Sequence, residues 1–193
     1  MADEQREIGD EAVWALSSAK PGNGVEQLRD GSTETFWQSD GPQPHMISVQ
    51  FYRKVRVREV RLYTSFKIDE SYTPSCISVR IGTSHHDLQE IQTVDLKEPD
   101  GWVTIRLANP RISPGEAQNP ACVPRDPTVG GAVDFVRTNF IQLAVLSNHQ
   151  NGRDTHIRQI QVYGPRTTPR ARGVESCTLR LQTPALQQFN TIR

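Results

Sequence analysis

At 193 residues the chain has room for one domain of ordinary size, with residues left over for tails or a long loop. Lys+Arg and Asp+Glu number 22 each, which removes the general electrostatic case for binding nucleic acid or an anionic membrane. Three widely spaced cysteines, Cys76, Cys122 and Cys177, form no C-x-x-C pair and argue against a disulfide framework or a cysteine zinc site, and no apolar run reaches the length of a membrane span.

The N-terminus has no apolar core of a secretion signal and is acidic, with Asp3, Glu4, Glu7, Asp10 and Glu11 set against Arg6, so a solvated tail over residues 1–5 and a soluble protein of a reducing compartment are expected. Val13 to Ser18 reads as a strand or as the start of a short helix. Gly24 to Asp30 carries at most a helical turn or two, ended by Gly31. In the polar stretch from Leu28 to Gly41, Asp30 and Asp40 each precede a glycine, a spacing that suits two tight turns around an aromatic plug of Phe36 and Trp37. The alternative there is a sugar site, since aromatic faces beside Asp, Asn and His suit carbohydrate.

From His45 onward the dominant period is two. Ile47, Val49 and Phe51 alternate with polar residues, as do Ile77, Val79 and Ile81, then Val103, Ile105 and Leu107, then Ile141, Leu143 and Val145, the pattern of half-buried strands. Between Val55 and Tyr63 the phase slips near Arg58-Glu59, which predicts a bulge and a bend within one strand. His156 to Tyr163 supplies a further strand through Ile160 and Val162. Residues 109–131 hold Pro110, Pro114, Pro120, Pro124 and Pro127 and read as a long insertion. Gly164 to Gly173 reads as an exit linker, followed by a small strand at Cys177–Leu181 and a helical turn at Thr183–Leu186. Many short strands separated by Gly, Pro, Asp and Asn turns give an all-β fold, an antiparallel sandwich or jelly roll.

The densest polar cluster is Ser147 to His156, about ten residues where a hairpin needs only two. The bland reading is a solvated loop turning at Asn151-Gly152; the other is a binding loop. A hydrolase reading pairs His149 or His156 with Asp154 but finds no nucleophile, and a zinc reading of His149 with His156, or of His85-His86, finds no third ligand. A second loop, Asp69 to Ser75, connects two strands and either serves as a turn fixed by Pro74 or lines the same end of the sandwich as the first.

Taken in order, Arg6-Glu7-Ile8-Gly9, Ala12-Val13-Trp14, Leu16-Ser17-Ser18, Lys20-Pro21-Gly22, Leu28-Arg29-Asp30, Thr35 to Gly41, Gln43-Pro44-His45, Asp69 to Ser75 and Asn148 to His156 resemble the DOC domain, a galactose-binding-like jelly roll best known from the anaphase-promoting complex. The resemblance covers residues 6–164 apart from the insertion, and resumes at Ile192-Arg193 after a linker and tail over 165–193. It implies a non-catalytic subunit of a cell-cycle ubiquitin ligase, at work in nucleus and cytoplasm with no cofactor or metal. In that family the domain acts with a WD40-type activator subunit as co-receptor for destruction-box degrons. The resemblance carries degron binding to Asn148, His149, Asn151, Arg153 and Asp154, with Ser71, Tyr72, Thr73 and Pro74 as neighbours. It carries docking on a tetratricopeptide-repeat scaffold subunit to the terminal Ile192 and Arg193. No nucleic-acid or membrane partner is implied, and the runner-up is a carbohydrate-binding jelly roll.

Overall fold

Alternation in sequence becomes a buried face wherever a strand has a sheet to lie on. In β4 (His45–Val57), Ile47, Val49 and Phe51 are all buried, and β2 (Ala12–Leu16) pairs with it from Ala12↔Phe51 to Leu16↔Ile47 as an edge strand, not the start of a helix. The computed structural model describes residues 5–107 and 135–165. The insertion, the cysteines Cys122 and Cys177, the expected elements at Cys177–Leu181 and Thr183–Leu186, and Ile192-Arg193 lie outside them, as does the linker beyond Pro165.

On its other side β4 pairs with β9 (Val136–Asn148), which pairs with β6 (Pro74–Gly82), and β7 (Gln89–Asp95) closes a five-stranded sheet in the order β2-β4-β9-β6-β7. The second sheet is β1 (Gln5–Glu7), β11 (Gln159–Pro165), β5 (Glu59–Ser65) and β8 (Asp100–Arg106), in the order β1-β11-β5-β8. Every pairing is antiparallel. The inner faces meet in one core that includes Ile47, Val49, Leu62, Ile77, Leu143, Ile160 and Val162, each such side chain contributing about 1.5–3 kcal/mol by leaving water.

Three expectations change in detail. The phase slip near Arg58-Glu59 is not a bulge inside one strand: β4 ends at Val57, β5 begins at Glu59, and the chain passes from one sheet to the other at Arg58. Val57 and Val60 differ in parity yet are both fully buried, because the strands that carry them line opposite walls of the same core. The corner is pinned where Arg58 N donates to Tyr163 O at 2.8 Å and Leu107 N donates to Arg58 O at 2.8 Å. The segment from His156 is likewise two strands, β10 (His156–Ile157) and β11, separated at Arg158. In the centre of the larger sheet β9 is buried on both faces, Phe140, Gln142 and Ala144 included, with His85 packed edge-on against Phe140.

The aromatic plug is real on its Trp37 side. That residue lies in β3 (Trp37–Gln38), which pairs with β10; its indole is fully buried, and its Nε1 donates to the Ser18 carbonyl at 2.9 Å. Beside it, α1 (Val25–Arg29) buries Leu28 and ends at Asp30 before Gly31, whose φ of 80° needs a residue without a side chain. Trp37→Ala is expected to cost about 3–5 kcal/mol in urea unfolding. Trp102, 46% exposed, is expected to cost no more than about 1 kcal/mol on the same change.

Candidate functional site

The register Pro74↔Asn148 sets the loop before β6 against the loop after β9. The first consists of α2 (Phe66–Asp69) and a 3-10 turn over Glu70–Tyr72; the second opens with a 3-10 turn over His149–Asn151. Their backbones interlock: His149 N donates to Thr73 O at 2.9 Å, and Thr155 Oγ1 donates to Tyr72 O at 3.4 Å. At Gly152 the approach is so close that an added Cβ would lie 1.7 Å from the Ser71 carbonyl oxygen. Only glycine closes this junction.

The second loop is held in a strained shape. Gln150 and Asn151 have φ of 52° and 57°, a left-handed conformation uncommon for residues with side chains. The buried Asn148 amide supplies the restraint, its Nδ2 donating to Asp154 O at 2.7 Å and Gly152 O at 3.2 Å. Gln43 Nε2 donates to Gly152 O at 3.0 Å, His45 Nε2 meets Arg153 O at 2.7 Å, and Thr155 N donates to Ser39 Oγ at 2.9 Å. The segment 38–45 therefore braces the loop from the third side.

Beneath the junction lies a charged hub that the sequence reading missed. Asp69 is buried; its Oδ2 accepts from Arg158 Nε at 2.9 Å, and its Oδ1 from Arg158 Nη2 at 2.9 Å and His156 Nδ1 at 3.1 Å. Arg158 Nη1 reaches on to Thr33 O at 2.8 Å. Burial pushes the Asp69 carboxyl up, but the hydrogen bonds and positive charge of His156 and Arg158 outweigh it and hold the group below its ordinary 3.8. The His156 ring is stacked between Phe36 and Tyr72, with centroids 4.3 Å away on each side.

The hub corrects the acid–base reading. The carboxylate of His156 is Asp69, not Asp154; His149 packs against Phe66 at 4.9 Å between ring centroids, and Asp154 faces Lys20 Nζ at 4.0 Å. What could have pointed to the hub is Arg158, a cation placed between Ile157 and Gln159 where the alternation expects one continuous strand.

Of the residues expected to contact a peptide, Tyr72 (39% exposed), Asn151 and Arg153 stand out to solvent, while Ser71, His149 and Asp154 are half-buried. Thr73, Pro74 and Asn148 are buried within the two loops. Ile68, 67% exposed on α2, adds an apolar side chain to the same loop and was not foreseen. The rim thus combines an aromatic ring, an amide, a guanidinium and an aliphatic side chain, a set able to hold an extended polypeptide by both backbone and side chain. Of the two aromatic faces behind the sugar reading, that of Trp37 is inside the core, while the half-buried Phe36 ring stacks on His156.

Residues 1–189 match the family described as "Anaphase-promoting complex, subunit 10". The chain is 51% identical over 160 residues to the protein of that name from Homo sapiens, covering 83% of this chain and 75% of the relative. The Dictyostelium discoideum protein is 42% identical over 189 residues, 97% of this chain and 86% of the relative. Among solved structures, a galactose-bound family 32 carbohydrate-binding module from Clostridium perfringens superposes with a TM-score of 0.59 at 12% identity, over 83% of this chain and 99% of that one. A paired module of the same family and organism gives 0.62 at 10% identity, over 84% of this chain and 36% of that one. At such identity the likeness is one of fold, the galactose-binding-like jelly roll.

Asp69→Asn leaves Arg158 without its buried carboxylate and is expected to cost about 3–5 kcal/mol at pH 7. Because the folded-state value lies below 3.8, the wild-type contribution is complete above about pH 5 and fades as pH falls through 3.8 toward the lower folded value. Urea titrations of both proteins across that range are expected to show the gap narrowing with acid.

Proposed function

The chain belongs to the anaphase-promoting complex subunit 10 family, and from that membership we propose that it is a non-catalytic substrate-recognition and processivity subunit of the anaphase-promoting complex, an E3 ubiquitin ligase. It acts with a WD40-type activator subunit as co-receptor for destruction-box degrons, in nucleus and cytoplasm. Its terminal Ile192-Arg193 docks on a tetratricopeptide-repeat scaffold subunit, where a carboxylate, a guanidinium and a branched apolar side chain offer three separate handles to a concave solenoid.

The observation that carries the degron reading is the rim of Tyr72, Asn151 and Arg153 over the interlocked loops. An extended peptide pays an ordering cost on binding, and a loop already fixed by Asn148 and Gly152 adds little to it. Asn151 offers an amide to peptide backbone, Arg153 a cation, and Tyr72 and Ile68 an apolar wall. His149 and Ser71 sit at the junction and set its spacing, and Asp154 supplies a carboxylate within reach of a basic side chain in the peptide. Holding a substrate longer allows more ubiquitin transfers per encounter, so the subunit raises chain length without touching the reacting atoms.

The triple change Tyr72→Ala, Asn151→Ala, Arg153→Ala is expected to shorten destruction-box-dependent ubiquitin chains and weaken degron binding about tenfold or more, with some loss of stability because the Tyr72 ring stacks on His156; Arg153→Ala alone, at an exposed side chain, is expected to shorten chains with the thermal midpoint near wild type. Unchanged chain length would remove this surface from substrate capture. Deleting Ile192-Arg193 is expected to reduce co-purification of the tetratricopeptide-repeat scaffold while leaving the fold intact, read by pull-down of the full complex.

A further inference from the structure

The recognition loops cap one end of the sandwich, and the opposite end carries a different surface. There Gln5 pairs with Pro165, Glu59 with Arg106 and Val57 with Val136. At this end β4 and the corner residue after it read Phe51-Tyr52-Arg53-Lys54-Val55-Arg56-Val57-Arg58, four cations with no anion between them. The ladder to β9 steps from Gln50↔Phe140 to Val55↔Thr138, so four residues of β4 stand against Asn139 alone. A strand with surplus residues must bulge and re-aim its side chains. Tyr52, within that bulge, is 86% exposed.

The bulge is anchored. Arg53 Nη2 meets Glu11 Oε2 at 3.0 Å while its side chain stays 74% exposed, and the same carboxylate also pairs with Arg6. One anion thus serves two cations, and the positive charge is not cancelled. Farther along, Arg56 lies directly opposite Arg137, and both guanidinium groups pack on the Phe135 ring at 5.0 and 5.8 Å. Among the described residues Lys54 and Arg137 make no ion pair. Aromatic packing restrains Arg137 and lowers the entropy it loses on meeting an anion.

We propose that the Tyr52–Lys54 bulge together with Arg137 is a docking edge for an acidic segment of a neighbouring protein subunit. Carboxylates of that segment meet Lys54 and Arg137, and Tyr52 is buried against its apolar residues. Exposed Tyr beside Arg is the composition of interface hot spots. A nucleic-acid ligand fits less well: the cationic edge is short, Glu11 interrupts it, the chain as a whole balances 22 cations with 22 anions, and among the described residues no long basic track continues the edge. The docking edge lies at the other end from the degron loops and stands or falls independently of them.

The test uses the full-length chain with Tyr52→p-benzoylphenylalanine, assembled into the purified complex, treated with nuclease and irradiated, with products mapped by mass spectrometry. The expected product joins Tyr52's position to an Asp- or Glu-rich stretch of another subunit. In parallel, full-length Lys54→Glu/Arg137→Glu competes with tagged wild type for complex stripped of this subunit, with an expected occupancy about tenfold lower; the charge-preserving Lys54→Arg/Arg137→Lys competes as wild type. Cross-links confined to the chain itself or to nucleic acid overturn the docking edge. Equal competition by a charge-reversed chain with a wild-type thermal midpoint overturns it too.

Discussion

A single buried carboxylate organises the end of the sandwich where the two polar loops meet. Asp69 receives Arg158 through two nitrogens and His156 through a third, and those partners belong to the segment that leads from the second loop into β11. Arg158 extends the tie to the Thr33 carbonyl, and His156 extends it to the rings of Phe36 and Tyr72. Three stretches of chain thus share one charged centre. Burying such charges is costly unless all are paired, so the pairing either forms completely or leaves the loops without a defined arrangement. The strained residues Gln150 and Asn151 persist because this base and the Asn148 amide over-determine the loop above it.

The sandwich keeps its interlocked loops and its other end apart. Strands of β4 and β9 that run the whole length, from His45 to Val57 and from Val136 to Asn148, make a stiff spacer between the two. Membership of the anaphase-promoting complex subunit 10 family places the chain among subunits of a multi-protein assembly. The fold itself is shared with carbohydrate-binding modules at 12% identity, so what separates the two uses is the chemistry of the loops and not the scaffold. Here the large indole next to those loops, Trp37, serves the core.

Much of the scaffold was legible because its signal is local. A period of two in Ile47-Val49-Phe51 or Ile141-Leu143-Val145 follows from which way successive side chains point, and burial of one face enforces it. The same local signal misled at Arg58 and Arg158. A parity change looks identical whether a strand bulges or crosses to a second sheet, and only the identity of the hydrogen-bonded neighbours distinguishes them. Within the candidate site, polarity marked the right loops but not the roles of their members: Asn148 and Thr73 are as polar as Asn151, yet they face inward.

By itself, then, the sequence determined the all-β class, the strand cores, the turn glycines and the ordered motifs that mark the family, since each of these is written within a few neighbouring residues. Tertiary structure decided which loops meet, because that depends on strand order: Pro74 and Asn148 become neighbours only when β6 pairs with β9. It also decided that Asp69 pairs with Arg158, 89 residues away, and with His156, 87 residues away, in place of an Asp154 close to both in the chain. Such a pair is chosen by the shape of a cavity that exists only after the sheets have closed, and no spacing along the chain encodes it.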